Sequence, residues 1–287
     1  SIPIKMDVIS SPAETQRRAL ELKRAGKTIG FVPTMGFLHE GHLSLMRLAR
    51  ARCDVLVASV FVNPAQFGPN EDLDAYPRDF ERDEALCAGE GVDLVFYPEP
   101  ATMYAPDASV WIDEEALSGG LCGSARPGHF RGVCTVVAKL FNLVQPDFAV
   151  FGEKDAQQLR IIERMVRDLN FPIEIIRGPI VREPDGLAMS SRNKYLDEEQ
   201  RRNARCLRRA LDAAAALFAA GERAVPALRS AMVELVESTP GARIDYVEFV
   251  DDASLVPLTE IAEAALVALA VGFGSTRLID NAVLSVY

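Results

Sequence analysis

The chain has 287 residues, and at about 150 residues per domain this length predicts two domains. Hydrophobic residues make up 49% of it, which is enough to form a core in each domain and excludes a disordered, collagen-like or small disulfide-stabilised protein. The 31 Lys and Arg residues against 41 Asp and Glu give a net charge of −10, which disfavours broad contact with nucleic acid or an anionic membrane. We therefore expect no nucleic-acid partner and no membrane association.

Apolar runs and cysteine spacing indicate in which cellular compartment the protein is expected. The longest nearly unbroken apolar run, residues 264–273, is shorter than the ~17–25 residues that span a bilayer, and no apolar leader follows a basic start. The five cysteines are odd in number and scattered, which argues against a disulfide framework and a CxxC metal site. These features predict a soluble, cytoplasmic protein.

Between residues 28 and 181, short β-branched or apolar runs alternate with longer segments of helical periodicity, the pattern of an α/β protein with a doubly wound parallel sheet. The predicted strands are residues 28–32, 55–62, 94–97, 148–151 and 173–176. The predicted helices are residues 43–52, 79–88, 133–144 and 156–169. Ligands of such sheets bind outside the carboxyl ends of the strands, so the segments directly after the strands are expected to carry the chemistry.

A polar segment with Gly and Pro at residues 182–193 marks a boundary between a first domain, 1–181, and a second, 182–287. The second domain has predicted helices at 198–220 and 225–237 and predicted strands at 244–250, 265–271 and 276–278, so we expect a smaller α+β domain. Its first helix has an arginine-rich face that could bind a polyanion, but neighbouring acids favour a solvated face. The arginines are Arg201, Arg202, Arg205, Arg208 and Arg209.

The first predicted strand is followed by residues 33–42, PTMGFLHEGH, which run into a helix expected to begin near Leu43. Gly36 and Gly41 have the spacing of a phosphate-binding P-loop, but His42 and Leu43 stand where Lys and Ser or Thr are needed, so that interpretation fails. Two imidazoles three residues apart at the positive end of a helix can both reach a phosphate chain, and Gly41 lets a flat ring approach. Either histidine alone would be better explained as a helix cap, whereas the whole segment favours anion binding.

Two further segments after strands suit the same ligand. In residues 152–155, Gly152 frees the turn, Lys154 offers a positive charge to a phosphate, and Asp155 can cap a helix or accept a ribose hydroxyl; an ordinary capped turn is the alternative. Residues 189–193 are expected to form a flexible polar loop whose two hydroxyls and guanidinium suit a triphosphate that loses pyrophosphate. Such loops are usually inert alone, but this one is paired with His-x-Gly-His.

These motifs together resemble the signature pair of the nucleotidylyltransferase superfamily and, in finer detail, the pantothenate synthetase (pantoate–β-alanine ligase) family. The resemblance extends from about residue 30 to the C-terminus. The segments that carry it are residues 33–42, 62–68, 76–78, 126–133, 151–158, 182–193 and 245–247. It implies a Rossmann-like first domain that binds ATP and pantoate, and a smaller C-terminal lid domain. It also implies that a homodimer condenses (R)-pantoate with β-alanine to pantothenate, using ATP and forming AMP, diphosphate and a pantoyl-adenylate intermediate.

The resemblance also implies the residues of the site. The ATP-binding residues it implies are Met35, Gly36, Phe37, Leu38, His39, Glu40, Gly41, His42, Gly152, Glu153, Lys154, Asp155, Val181, Met189, Ser190, Ser191 and Arg192. The residues expected to act in catalysis are His42 as the assigned proton donor, His39, Lys154, Ser190, Ser191 and Arg192. Those expected to bind substrate are Gln66 and Gln158 for pantoate, Gln66 also for β-alanine, and Asn63, Tyr76, Arg126 and His129 around the same cavity. Mg²⁺ is expected on the triphosphate, with Asp83 as its carboxylate ligand.

Elementary chemistry agrees with these assignments, because adenylyl transfer needs mainly positioning and positive charge around the phosphorus. The two histidines, Lys154 and Arg192 supply that charge. Pyrophosphate is already a good leaving group, so His42 either transfers a proton or only donates a hydrogen bond.

Three other functions share some of these features. An aminoacyl-tRNA synthetase would have both signature motifs, but it needs a basic anticodon-binding region, and only about a hundred residues follow the second motif. A nicotinamide-dependent dehydrogenase would have the parallel sheet, but the first turn lacks G-x-G-x-x-G and the second strand does not end in an acid. A non-catalytic nucleotide sensor is disfavoured by the intact His39, His42, Lys154 and Arg192, and a turnover assay decides the question.

Overall fold

The structure is a computed structural model that describes residues 6–286. Two predictions fall partly outside these residues. They are the outer limits of the two domains, at residues 1 and 287, and the absence of a leader at the N-terminus. The chain forms two compact units. The first contains the residues through Glu115, Arg126–Glu153 and Gln158–Pro179, and the second contains Ala116–Ala125, Lys154–Gln157 and the residues from Ile180 onward.

The first unit contains a six-stranded parallel sheet, which confirms the predicted fold class. Its strands are β1 (Asp7–Ile9), β2 (Ile29–Thr34), β3 (Val55–Val60), β4 (Leu94–Phe96), β5 (Phe148–Gly152) and β6 (Glu174–Gly178). Their order in space is β1-β4-β3-β2-β5-β6. The chain leaves β2 on one side for β3 and β4 and returns on the other side for β5 and β6, so the strand order reverses between β2 and β5. Ligands of doubly wound sheets bind at this point, outside the carboxyl ends of the two strands.

Helices accompany these strands along the chain. They are α1 (Pro12–Arg24), α2 (Glu40–Arg50), α3 (Phe80–Gly89), α4 (Pro100–Met103), α5 (Leu121–Ala125), α6 (His129–Val144) and α7 (Ala156–Asp168). The apolar face of α2 supplies Met46 and Ala49 to a core with Val32, Leu56 and Val150 of the central strands, and all five side chains are completely buried. This packing holds the first turn of α2 rigidly next to the end of β2.

The second unit has a three-stranded antiparallel sheet, as the predicted smaller α+β domain requires. Its strands are β7 (Ala242–Val250), β8 (Ala264–Phe273) and β9 (Thr276–Ser285), with β8 in the centre. Its helices are α5, given above, together with α8 (Glu198–Asn203), α9 (Cys206–Ala219) and α10 (Val225–Glu237). Apolar residues of α9, α10 and β8 form one buried core.

The predicted single helix at residues 198–220 is wrong, because α8 ends before α9 begins. At the break, the N–H of Leu207 bonds to the carbonyl of Ala204, three residues back, and Nε of Arg205 donates to the carbonyl of Arg202 at 2.9 Å. The arginine-rich face is balanced by acids, as expected: Arg201 pairs with Asp185, and Arg208 pairs with Asp212 at 2.8 Å.

Two general properties of the described residues complete the fold. No helix in residues 6–286 is long and apolar enough to cross a bilayer. The five cysteines have free thiols. Burial raises the pKa of Cys87 and Cys134 to about 12 and that of Cys206 to about 11, so these thiols stay protonated at neutral pH.

Candidate active site

The loop after β2 is folded around the carboxylate of Asp83 on α3. Gly36 and Phe37 both have left-handed backbone conformations, with φ of 77° and 50°. The chain reversal directs the N–H groups of Phe37 and Leu38 at the two Asp83 oxygens, each at 2.8 Å. A Cβ at Gly36 would lie 2.9 Å from Oδ2 of Asp83 and from Val60, so glycine is needed there. A left-handed conformation costs Phe37 about 1–2 kcal/mol, which the charge-assisted hydrogen bonds offset.

Asp83 has a structural environment that does not fit the metal ligand we expected. The residue is 1% exposed, and both of its oxygens accept backbone N–H groups. Burial raises the pKa of its carboxyl, and the two backbone donors partly counter that effect. We therefore assign Asp83 to the support of the loop, together with Arg82, whose guanidinium donates to the Leu38 carbonyl at 2.8 Å.

Helix α2 begins at Glu40, so the expected start near Leu43 is wrong by one turn. The reason is a capping box made by the two histidines: Nδ1 of His39 accepts the N–H of Gly41 at 3.0 Å, and Nδ1 of His42 accepts the N–H of His39 at 3.1 Å. An Nδ1 that accepts has no proton, so each neutral ring carries its proton on Nε2. The ring centroids are 4.1 Å apart. The first turn of α2 thus combines two neighbouring Nε2–H donors with the positive end of a helix.

Gly41 has a steric role in this arrangement. A Cβ at Gly41 would lie 2.7 Å from Cε1 and 2.8 Å from Nδ1 of His39. The flat ring that lies against the glycine is therefore that of His39. The cap explanation and the anion-binding explanation of this segment are compatible, because the capping bonds use Nδ1 and leave the proton on Nε2.

Four of the residues expected to bind substrate belong to one hydrogen-bond network in the first unit, and its first part surrounds Gln66. Asn63 precedes a short 3-10 turn, Pro64–Gln66, and its Nδ2 donates to Oε1 of Gln66 at 3.0 Å and to the carbonyl of Gly132 at 3.2 Å. Nε2 of Gln66 lies 3.4 Å from the sulfur of Met35 in the loop after β2. The hydroxyl of Tyr104 donates to Oδ1 of Asn63 at 2.7 Å.

The second part of the network lies at the start of α6. Nδ1 of His129 is 2.8 Å from the carbonyl of Gln66, and Nε2 is 3.2 Å from the guanidinium of Arg126. Since a carbonyl only accepts and a guanidinium only donates, His129 is neutral with its proton on Nδ1. Nε of Arg126 donates to Glu71 at 2.7 Å. Burial alone would raise the pKa of Glu71, but the N–H of Gly68 and the Arg126 guanidinium outweigh it and lower that pKa.

Tyr76 and Gln158 are the other two residues expected to bind substrate. Tyr76 is buried and makes an edge-to-face contact with Phe67, next to the Gln66 turn. Gln158 is the third residue of α7 and is half-buried. Sequence reasoning missed Tyr104 and Glu71, because neither belongs to a recognisable motif.

Of the residues after His42 that are expected to bind ATP, Gly152 and Glu153 belong to the first unit, and the others lie in two segments of the second unit. Lys154 lies in a 3-10 turn, Glu153–Asp155, just before α7, with its Nζ 3.8 Å from Oδ1 of Asp155. The loop that we expected to be flexible has regular structure. The N–H of Met189 donates to the carbonyl of Val181 at 3.0 Å in a small hairpin. Ser190 then caps a 3-10 helix, Ser191–Tyr195. The cap is a bond from the N–H of Arg192 to Oγ of Ser190 at 3.2 Å. This local order comes from the Ser190 cap and the hairpin bonds.

A histidine pair in the first turn of a helix, beside the switch point of a doubly wound sheet, fits a nucleotide-binding α/β enzyme. The sequence model of the family "Pantoate-beta-alanine ligase" matches residues 7–283. The pantothenate synthetase of Pelotomaculum thermopropionicum is 56% identical over 97% of this chain and 99% of its own length.

Solved structures agree. The pantothenate synthetase of Thermus thermophilus is 48% identical and superposes with a TM-score of 0.92 over 98% of this chain and all of its own. The pantoate–β-alanine ligase of Francisella tularensis, solved with "Beta-gamma ATP" and β-alanine, is 31% identical with a TM-score of 0.79, over 97% of each chain. The chain belongs to the pantoate–β-alanine ligase family. It is an ATP-dependent ligase that condenses pantoate with β-alanine.

Proposed function

We propose that the reaction proceeds in two steps. The carboxylate of (R)-pantoate attacks the α-phosphorus of ATP and releases diphosphate, and the amine of β-alanine then attacks the carbonyl of pantoyl adenylate and releases AMP. The observation that carries this proposal is the pair of neutral histidines, His39 and His42, in the first turn of α2 beside the switch point. Two Nε2–H donors and a helix N-terminus suit the charge that develops on phosphate oxygens when diphosphate leaves. The Francisella relative, solved with "Beta-gamma ATP" and β-alanine, supports ATP and β-alanine as substrates.

In this proposal His42 donates a hydrogen bond and does not transfer a proton. A neutral imidazole is a very weak acid at Nε2, and the imidazolium form would need a proton on Nδ1. That proton would remove the acceptor of the capping bond from His39. The ATP-binding, catalytic and substrate-binding residues implied by the resemblance remain our assignments.

Three further assignments rest on the family resemblance. Mg²⁺ enters with ATP as part of the substrate, bound to the phosphates, as this ion commonly is. The enzyme acts in the cytoplasm. It acts as a homodimer.

Gln66 and Gln158 are proposed to select the acid. A carboxamide donates and accepts at once, which suits a substrate with hydroxyls and a carboxylate that must stay nucleophilic. Replacing either glutamine by alanine is expected to leave pantoate groups unpaired, at a cost of ~1–3 kcal/mol, and to raise the KM for pantoate while ATP binding by calorimetry changes little. Gln16→Ala is the control, because Gln16 is a partly exposed glutamine whose side chain donates to the Asn142 carbonyl, away from the Gln66 network. Lost ATP affinity with normal pantoate saturation would contradict the assignment.

AMP formation from ATP, with each other substrate omitted in turn, tests the overall reaction. The complete mixture should give AMP, diphosphate and pantothenate in equal amounts. Turnover that continues without pantoate, or that uses another acid better, would contradict the proposed substrate.

A further inference from the structure

Strand β9 carries two adjacent polar residues in its interior, Asp280 and Asn281, which are only 2% and 5% exposed. Burial of polar side chains in a strand costs free energy unless they are hydrogen-bonded. Their sheet positions are fixed, because Asp280 pairs with Leu269 and Asn281 with Ala268 of the central strand β8. The partners of both side chains lie in the segments of the second unit that were assigned to ATP.

Asp280 holds the hairpin that contains Val181 and Met189. Its two oxygens accept hydrogen bonds from the two terminal nitrogens of Arg182, at 2.7 and 2.9 Å. This is a bidentate ion pair, which has a fixed geometry. The same guanidinium donates to the carbonyl of Gly186 at the tip of the hairpin, at 3.0 Å. Asp280 therefore holds the Arg182 guanidinium in the position from which it bonds to the turn of the hairpin.

Asn281 holds the main chain at Lys154. Its Nδ2 donates to the Lys154 carbonyl at 3.0 Å. Lys154 lies in a single 3-10 turn, which has few backbone bonds of its own. The hydrogen bond from β9 thus sets the starting direction of the lysine side chain.

We propose that Asp280 and Asn281 are positioning residues that act on two different parts of the same reaction: Asp280 aligns the hairpin that binds ATP, and Asn281 aligns Lys154 with the phosphate charge of the transition state. This inference rests on the proposed function. Contacts from the hairpin are made equally in the ground state and the transition state, so their loss raises KM. The charge of Lys154 matters most in the transition state, so its misplacement lowers kcat.

The test is pantoate-dependent exchange of pyrophosphate into ATP by the full chain, with KM for ATP and kcat measured separately. Asp280→Asn should raise KM for ATP about tenfold and change kcat less than about twofold. Asn281→Asp replaces the donor by an oxygen that repels the Lys154 carbonyl, and should lower kcat about tenfold or more with KM nearly unchanged. In a Lys154→Ala background, Asn281→Asp should have almost no further effect on kcat, because residues acting through one another are not additive.

Matched controls remove the same bond types elsewhere in the second unit. Asn203→Asp removes an Nδ2 bond to the Pro240 carbonyl, also 3.0 Å long, and Asp212→Asn removes the ion pair with Arg208. Both controls should keep parental kinetics. If Asp280→Asn does not fold, Arg182→Lys tests the same contact, since it keeps the charge but loses the bidentate geometry.

Three results would overturn the proposal. The first is that each variant changes KM for ATP and kcat by similar factors. The second is that both variants have the same KM and kcat as the parent enzyme. The third is an Asn281→Asp effect that persists in full without the Lys154 side chain. A parent enzyme that shows no exchange at all would instead contradict the proposed function, so the two failures are distinguishable.

Discussion

Replacing Lys154 or His42 by alanine is expected to slow pantoate adenylation by about two orders of magnitude or more, with little change in pantoate binding. Donors directed at charge that develops in the transition state are worth ~2.7–4 kcal/mol each. Single-turnover formation of AMP-linked product in a quenched-flow experiment measures the rate, and calorimetry measures pantoate binding. Rates within about fivefold of the parent for both variants would mean that these residues are only structural caps.

His42→Gln separates hydrogen bonding from proton transfer. Glutamine is a standard residue at the third position of a capping box, so its oxygen can accept the His39 N–H while its amide nitrogen still donates. We expect this variant to adenylate pantoate clearly faster than His42→Ala. Equal rates for the two variants would favour proton transfer by His42.

Gly132→Ala is expected to be the most damaging single methyl addition near the substrate network. Gly132 lies in α6 against the turn that carries Gln66, and a Cβ there would be 2.2 Å from the Ala65 carbonyl oxygen and 2.6 Å from the Gln66 nitrogen. These are backbone atoms, so the whole turn must move. Overpacking typically costs ~1–3 kcal/mol, and we expect at least that loss in the free energy of unfolding, with a higher KM for pantoate.

Denaturant unfolding and saturation kinetics measure the two effects. Gly89→Ala is the control, because Gly89 is the last residue of α3 and a Cβ there meets no atom within 4 Å. The control should gain ~0.5–1 kcal/mol, since glycine is a poor helix former. An unchanged unfolding midpoint for Gly132→Ala would show that the turn adapts without strain.

The main strands of the first unit could be predicted from sequence because buried parallel strands are continuous apolar runs. Strand β1 was missed, since it has only three residues and lies at the edge of the sheet, and α1 was missed because it is largely polar. The extent of β9, ten residues rather than three, was hidden by Asp280 and Asn281, which interrupt its apolar pattern.

Site residues could be proposed from the sequence where one short segment contains the chemistry, as in the loop from Met35 to His42. It was not predictable where the role of a residue depends on a distant partner. Asp83 has a carboxylate, which is a common metal ligand. The chain reversal at Gly36 and Phe37 instead makes this carboxylate the acceptor of two backbone N–H groups. Glu71 acts on Arg126, 55 positions away. Sequence spacing carries no information about such contacts.

Isotope exchange between labelled pyrophosphate and ATP is the most direct test of adenylation. With (R)-pantoate present and β-alanine absent, label should enter ATP, because reversible formation of pantoyl adenylate does not need the amine. Omission of pantoate should abolish the exchange. Exchange that requires β-alanine would show that no free adenylate forms, and would contradict the two-step reaction.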